Sequence, residues 1–433
     1  MTPPAPPRTR DASVDVARAF CLTVVVALHA IMVGVSVVAG APVIENAMDG
    51  WSGFAAATWF AQVMPLFFVL GGFSSATQWR SLRARGVAVP EYLAMRLRRL
   101  LPPALGAMAV TVAALLALRA AGVSDALVAE AGFRLGQPLW FLGVYLLCTA
   151  LVPAMTALHR AAPRATVAVL AALVIVVDGV RAASGVDAVG FANLLVVWLL
   201  VQQLGFWLAD GRFDGWSVRR LGAVGGSALL TLGMLCAAGV YSPDLLQNLN
   251  PPTFALVLLG AAQLCGFLLL RGGLRRLHGI PAVASITGWV NARAMTIYSW
   301  HMLVLIGLAG LLLLGAGETL PAPLTDAWWA TRPAWLLAVG ITVALLVAVV
   351  GRIETRTPGR AHGATLPVAS GVVALLVAAG AVLAVLVAGR EPLVWAVAAV
   401  LIAGSLAVAR RIPDATTEKK AASTRKEPAR GSF

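Results

Sequence analysis

Long apolar runs separated by short polar loops recur along the whole chain. Twelve runs stand out, at approximately 17–39, 54–74, 102–120, 138–157, 165–183, 189–209, 220–240, 252–270, 294–314, 333–350, 365–388 and 392–409. Each is close to the roughly 20 residues that a helix needs to cross a hydrocarbon layer. No strand is required anywhere. The pattern predicts an all-α, polytopic membrane helical bundle of about 12 transmembrane helices. The first run has no convincing small-residue cleavage site and reads as a true span. Residues 1–16 read as a cytoplasmic N-terminal segment, and 17–355 as the membrane core of about ten helices. Residues 356–409 add two spans of almost pure Ala, Val, Leu and Gly that look like scaffold without a buried polar group. The polar stretch 410–433, with Lys419-Lys420 and Arg425-Lys426, reads as a basic disordered cytoplasmic tail drawn to anionic headgroups.

Composition points the same way. The chain is 60% hydrophobic and only 12% charged, with mean hydropathy +0.86. Soluble domains carry about 25% charged residues, so the solvent for this chain is a lipid bilayer. Cys21, Cys148, Cys236 and Cys265 sit inside apolar runs without metal-ligand spacing and read as filler, so no metal is expected. Nor does the net charge of +14 imply nucleic acid, because the basic residues fall in short loops between spans. They also alternate. The 75–101 loop holds Arg80, Arg83, Arg85, Arg96, Arg98 and Arg99, whereas 40–53 holds Glu45 and Asp49 and no base. By the positive-inside rule both termini are expected on the cytoplasmic side of a plasma (inner) membrane.

Four sets of polar residues carry candidate chemistry. Ten residues separate Arg18 from His29 in the first span. On a helix this sets the two groups about 16 Å apart along the axis and on nearly the same face. Intramembrane histidines usually face a bundle interior or a watered cavity, and an imidazole can take a proton from a hydroxyl attacking a carbonyl. A histidine that only packs helices together is the alternative. Asp15 lies three residues before Arg18, at the cytoplasmic end of the same helix. Arg96 and Arg99, also three apart, can grip one anion, and a guanidinium fork suits phosphate oxygens; ordinary positive-inside anchoring is the competing reading. Tyr298 and His301 in Met295-Thr-Ile-Tyr-Ser-Trp-His301 lie at a depth similar to His29. Trp140 is an interfacial belt residue or the lining of a sugar-type acceptor site. Pro65 should kink the second span, and Gly71-Gly72 allow a backbone or ligand to approach. Asp178, Asn193, Gln202 and Gln203 are further intramembrane polar groups that could line an outer cavity, while His159, His278 and His362 read as solvated loop residues. Phosphate-loop, HExxH and GxSxG patterns are all missing from the sequence.

Taken together, these blocks resemble the integral membrane acyltransferase 3 family. Asp15-x-x-Arg18 followed by His29 looks like its first-span signature. Met64-Pro-Leu-Phe-Phe-Val-Leu-Gly-Gly-Phe73 is similar to its "PLFFVLSGF" segment, with Gly71 in place of the usual serine. Arg96-Leu-Arg-Arg99 resembles its RxxR element, and Leu139-Trp-Phe-Leu142 and Ile297-Tyr-Ser-Trp-His301 resemble later blocks. The resemblance implies a ten-helix acyltransferase core that takes acyl-CoA, most simply acetyl-CoA, from the cytoplasm as co-substrate, with no bound cofactor. The acceptor it implies is a hydroxyl of a cell-envelope carbohydrate or small metabolite. Carried over by position, His29 is the catalytic histidine, and Arg18, Arg96 and Arg99 serve the donor. The rival reading is a transporter or flippase in which His29 and His301 relay protons and Arg96 and Arg99 hold an anion.

Overall fold

Asp11 starts the first helix. Its carboxylate accepts hydrogen bonds from the Ser13 backbone N–H (3.1 Å) and hydroxyl (2.6 Å), satisfying a donor that the first helical turn leaves open. In the computed structural model, which describes residues 11–38, 40–355, 367 and 369–412, helices then follow one another to the end. Along the chain run α1 Ala12–Met32, the strands β1 Val33–Val38 and β2 Ala41–Asn46, α2 Phe54–Ala61, α3 Met64–Ala84, α4 Val89–Ala120, α5 Asp125–Gly136 and α6 Leu139–Ala161. After them come α7 Pro163–Ser184, α8 Asn193–Ala209, α9 Val218–Ala237, α10 Phe254–His278, α11 Pro281–Ala292, α12 Ala294–Ala316, α13 Asp326–Thr355, α14 Ala369–Ala388 and α15 Pro392–Arg410. Twelve helical stretches among the described residues are long and apolar enough to cross a membrane, and each coincides with an expected span. Most of the expected tail, most of the N-terminal segment and His362 lie outside the described residues.

Three local departures bear on the site. The first span ends at Met32, and the chain turns into an antiparallel hairpin, with Val33 opposite Asn46 and Val38 opposite Ala41. This corrects the expectation that no strand is needed: the β-branched run of valines prefers the pleated form, and Gly40 supplies the positive φ of the tight turn. The second span is interrupted at Gln62-Val63, before Pro65, rather than merely bent. Side chains meet the freed backbone groups. Gln263 donates to the Gln62 carbonyl (2.7 Å) and accepts from the Leu66 N–H (2.9 Å), and the Gln62 side chain accepts from the Met64 N–H (3.3 Å). Finally, α4 starts at Val89, so Arg96 and Arg99 belong to the same helix as the third span. Pro102 and Pro103 inside it remove the intrahelical donors that would face the Arg98 and Arg99 carbonyls.

The helices fall into two compact units, Met1–Ser74 with Leu158–Ala348, and Ser75–Ala157 with Val349–Phe433. Within the first, α1 packs on α10, α11 and α12, while α8 and α9 pack on α10 and α7 packs on α8. Gly72 of α3 and Gly205 of α8 let two backbones meet: a Cβ at either would collide with main-chain atoms of the other helix. The paired glycines of the second span thus admit a backbone. Within the second unit, α14 and α15 pack on α4, and Arg98 donates to the Ala409 (2.9 Å) and Ile412 (2.7 Å) carbonyls. One buried polar side chain, Ser405, does occur in these last spans, bonded to the Leu401 carbonyl one turn back.

Candidate active site

Two histidines on different helices meet in the first unit. His29, in the last turn of α1, lies with its ring centroid 5.2 Å from that of His301 on α12, and His29 Nδ1 is 3.3 Å from His301 Nε2. On its other side His301 Nδ1 is 2.7 Å from the Tyr298 carbonyl. That carbonyl can only accept, so Nδ1 of His301 carries the proton and its Nε2 presents a lone pair. His29 Nδ1–H then donates to that lone pair, the Val25 carbonyl is a further acceptor for the His29 ring, and in this tautomer Nε2 of His29 carries no proton. The reverse assignment would set a lone pair of His301 against a carbonyl oxygen. His301 is completely buried, whereas His29 retains partial exposure.

The helix that carries His29 is pinned at both ends. Near its C-terminal end, the Trp335 indole N–H donates to the Ala30 carbonyl (2.8 Å). At the start, the Asp11 side chain is 7% exposed and accepts from Arg271 Nε (3.2 Å) and from Arg275 Nε (3.3 Å) and Nη2 (3.1 Å). Burial opposes ionisation there, yet hydrogen bonds from Arg275, Ser13 and Arg271 hold the carboxyl well below the usual carboxylate range. Asn291 adds a bond to the Asp15 carbonyl (2.8 Å).

Arg18 reaches Ser74 with Nη1 (3.4 Å), and its guanidinium carbon lies 5.8 Å from the centre of the Phe67 ring. Ser74 is itself fixed by the Leu70 carbonyl (2.8 Å). Arg18 Nε is buried without a partner among the described residues, and so are Ser299 Oγ and Trp300 Nε1 beside His301. Buried donors left unmet are costly, and three of them lie on the two helices that meet at the histidine pair.

The remaining candidates belong to the second unit or to structural ties. Arg96 is 8% exposed, with its guanidinium 5.2 Å from the Tyr92 ring centre and its Nε unpartnered among the described residues. Arg99 is exposed on the same helix, and Trp140 is buried edge-on against Phe141. His159, expected in a solvated loop, is 2% exposed because α6 continues to Ala161. Its ring nitrogens contact the Gln203 side chain (2.7 Å) and the Asp210 carboxylate (2.9 Å). Asp178 accepts from Asn193 (2.8 Å), the Tyr241 hydroxyl (2.8 Å) and the Phe254 N–H (2.9 Å), so it ties α7 to α8 and to the start of α10. Sequence reasoning missed the Asp11 clasp; its signal was an aspartate two residues before a serine at the head of an apolar run.

No curated protein and no solved structure matches the chain. A family model described as "Acyltransferase domain" matches residues 11–353, from the Asp11 cap through α1, the histidine pair and most of α13. The chain therefore belongs to the acyltransferase 3 family, and it is an integral-membrane acyltransferase.

Proposed function

We propose that the protein moves an acyl group, most simply acetyl, from acyl-CoA on the cytoplasmic side to a hydroxyl of a cell-envelope carbohydrate or small metabolite. One observation supports this reading: the run from the Tyr298 carbonyl through His301 to His29 Nδ1 puts the His29 lone pair on Nε2, as a general base requires. The acceptor hydroxyl gives its proton to Nε2 as its oxygen attacks the thioester carbonyl. Collapse of the tetrahedral adduct breaks the carbon–sulfur bond, and the departing thiolate takes the proton back from the imidazolium. His301 accepts from His29 Nδ1–H throughout and stabilises the charge that forms on that ring. Arg18, on the same helix, binds the phosphates, and the family resemblance gives Arg96 and Arg99 of the second unit a donor-binding role.

Purified protein given acetyl-CoA and a panel of sugars and hydroxylated metabolites should release free thiol in step with acceptor acylation. No thiol release above the blank with any acceptor, from protein that elutes as a single folded species, would refute this reading.

A further inference from the structure

The cytoplasmic-type, arginine-bearing ends of α6, α7 and α8 enclose a cleft of about 470 Å³ in the first unit, lined by Ala162–Ala165, Trp207, Asp210 and Arg212. Arg164 and Arg212 are exposed, and neither guanidinium has a hydrogen-bonding or ionic partner among the described residues. The N-terminus of α7 also opens there. Its cap residue, Ala162, makes no side-chain bond to the first turn, so the Arg164 and Ala165 N–H groups face the cleft end of a 22-residue helix uncapped. The one carboxylate, Asp210, is turned on the buried His159 at 2.9 Å.

What leaves this cleft is as informative as what lines it. From Ala165 on the cleft wall, Val169, Leu173, Val176 and Val180 follow at helical spacing, each 47–60% exposed, as one apolar stripe along α7. It runs about 16 Å from Val169 to Val180, the reach of a lipid chain within one leaflet. We infer that the cleft between α7 and α8 binds an anionic phospholipid, its phosphodiester held by Arg164, Arg212 and the α7 N-terminus and one acyl chain lying on the α7 stripe. A glycerol headgroup suits the lining further, because it adds no cation beside Arg164 and Arg212 while a choline does. The charge pattern asks for a phosphate, and the stripe asks for its hydrocarbon.

Native mass spectrometry of the full-length protein, exchanged from detergent into phosphatidylglycerol or phosphatidylcholine, tests the inference. Wild type should retain phosphatidylglycerol in preference to phosphatidylcholine. The double variant Arg164→Gln/Arg212→Gln should lose that retention by about thirtyfold, from the two near-surface charges removed. Arg83→Gln/Arg85→Gln, exposed arginines of another basic loop, should keep it. Equal retention of both lipids by wild type overturns the inference without any variant. So does equal loss in the two double variants, which would mean general surface attraction, or full displacement of the lipid by soluble glycerol phosphate, which would mean a free-phosphate site with no role for the stripe.

Discussion

At the scale of residues, a histidine that donates through one ring nitrogen and is bare at the other differs from one that only fills space, and substitution can tell them apart. His29→Gln keeps hydrogen-bonding capacity but cannot take up and return a proton. Acyl transfer should fall by about 10²–10⁴-fold while folding and membrane insertion persist. Near-normal transfer in this variant would leave His29 as a packing residue. His301→Ala removes the acceptor for His29 Nδ1–H and frees the base to rotate, so kcat should drop on the order of 10²-fold with little change in KM for acyl-CoA. A rise in KM alone would instead mark His301 as donor-binding. The arginines predict the opposite split. Arg96→Lys keeps the charge of a buried group but loses the planar fork, and should raise KM for acyl-CoA with kcat less affected. An unchanged KM in both Arg96→Lys and Arg99→Lys would return the pair to ordinary loop anchoring. The sequence announced both histidines and their similar depth, because a polar residue in an apolar run is conspicuous. It could not announce their contact, which depends on α1 and α12 packing together across 272 positions.

At the scale of elements, the site depends on α1 being held at the correct height. Asp11 is the base of that helix, clasped by two arginines of α10. Asp11→Asn should lower the melting temperature at pH 7, by a loss on the order of 2 kcal/mol that lies between the surface and buried limits for an ion pair, since Arg275 is half exposed. The carboxyl is depressed in the folded protein, so its contribution is fully present above the unfolded value of about 3.9 and is lost as pH falls below it. The difference between wild type and Asp11→Asn should therefore be constant from pH 5 to 8 and shrink below about pH 4. A difference that grows on acidification would rule out the clasp as the cause. Elements were legible where periodicity and length agree, as in the spans. The hairpin was not: Val33-Gly-Val-Ser-Val-Val continues the apolar run of α1, and hydrophobicity alone does not separate a strand from the last turns of a span. The β-branched valines followed by Gly40 were the available signal. His159 was misread for the converse reason, since the apolar run ends near 157 while α6 in fact reaches Ala161.

At the scale of the whole molecule, the family match does not cover every helix that packs on α4. The match ends at residue 353, yet α14 and α15 pack on α4, the helix of Arg96 and Arg99, and Arg98 is bonded to the carbonyls at the end of α15. The last two helices are therefore bound up with a candidate donor helix, which their bland composition hid, because Ala, Val and Leu report burial without naming a partner. The arginines carry a vectorial consequence that packing does not. Six fall in the stretch 75–101 and none between 40 and 53. Moving six guanidiniums through the hydrocarbon is far costlier than moving Glu45 and Asp49, each of which can be protonated on the way. The β1–β2 hairpin should thus face outward and the Arg83 turn inward, and a cytoplasmic donor then enters from the Arg18 end of α1, with its thioester arm extending toward His29. Glu45→Cys, at an exposed position of strand β2, should react with an impermeant maleimide added to intact cells, and Arg83→Cys should react only after the membrane is opened. The reverse labelling pattern would invert the whole protein and place the Arg18 end of α1 on the side where acyl-CoA is absent.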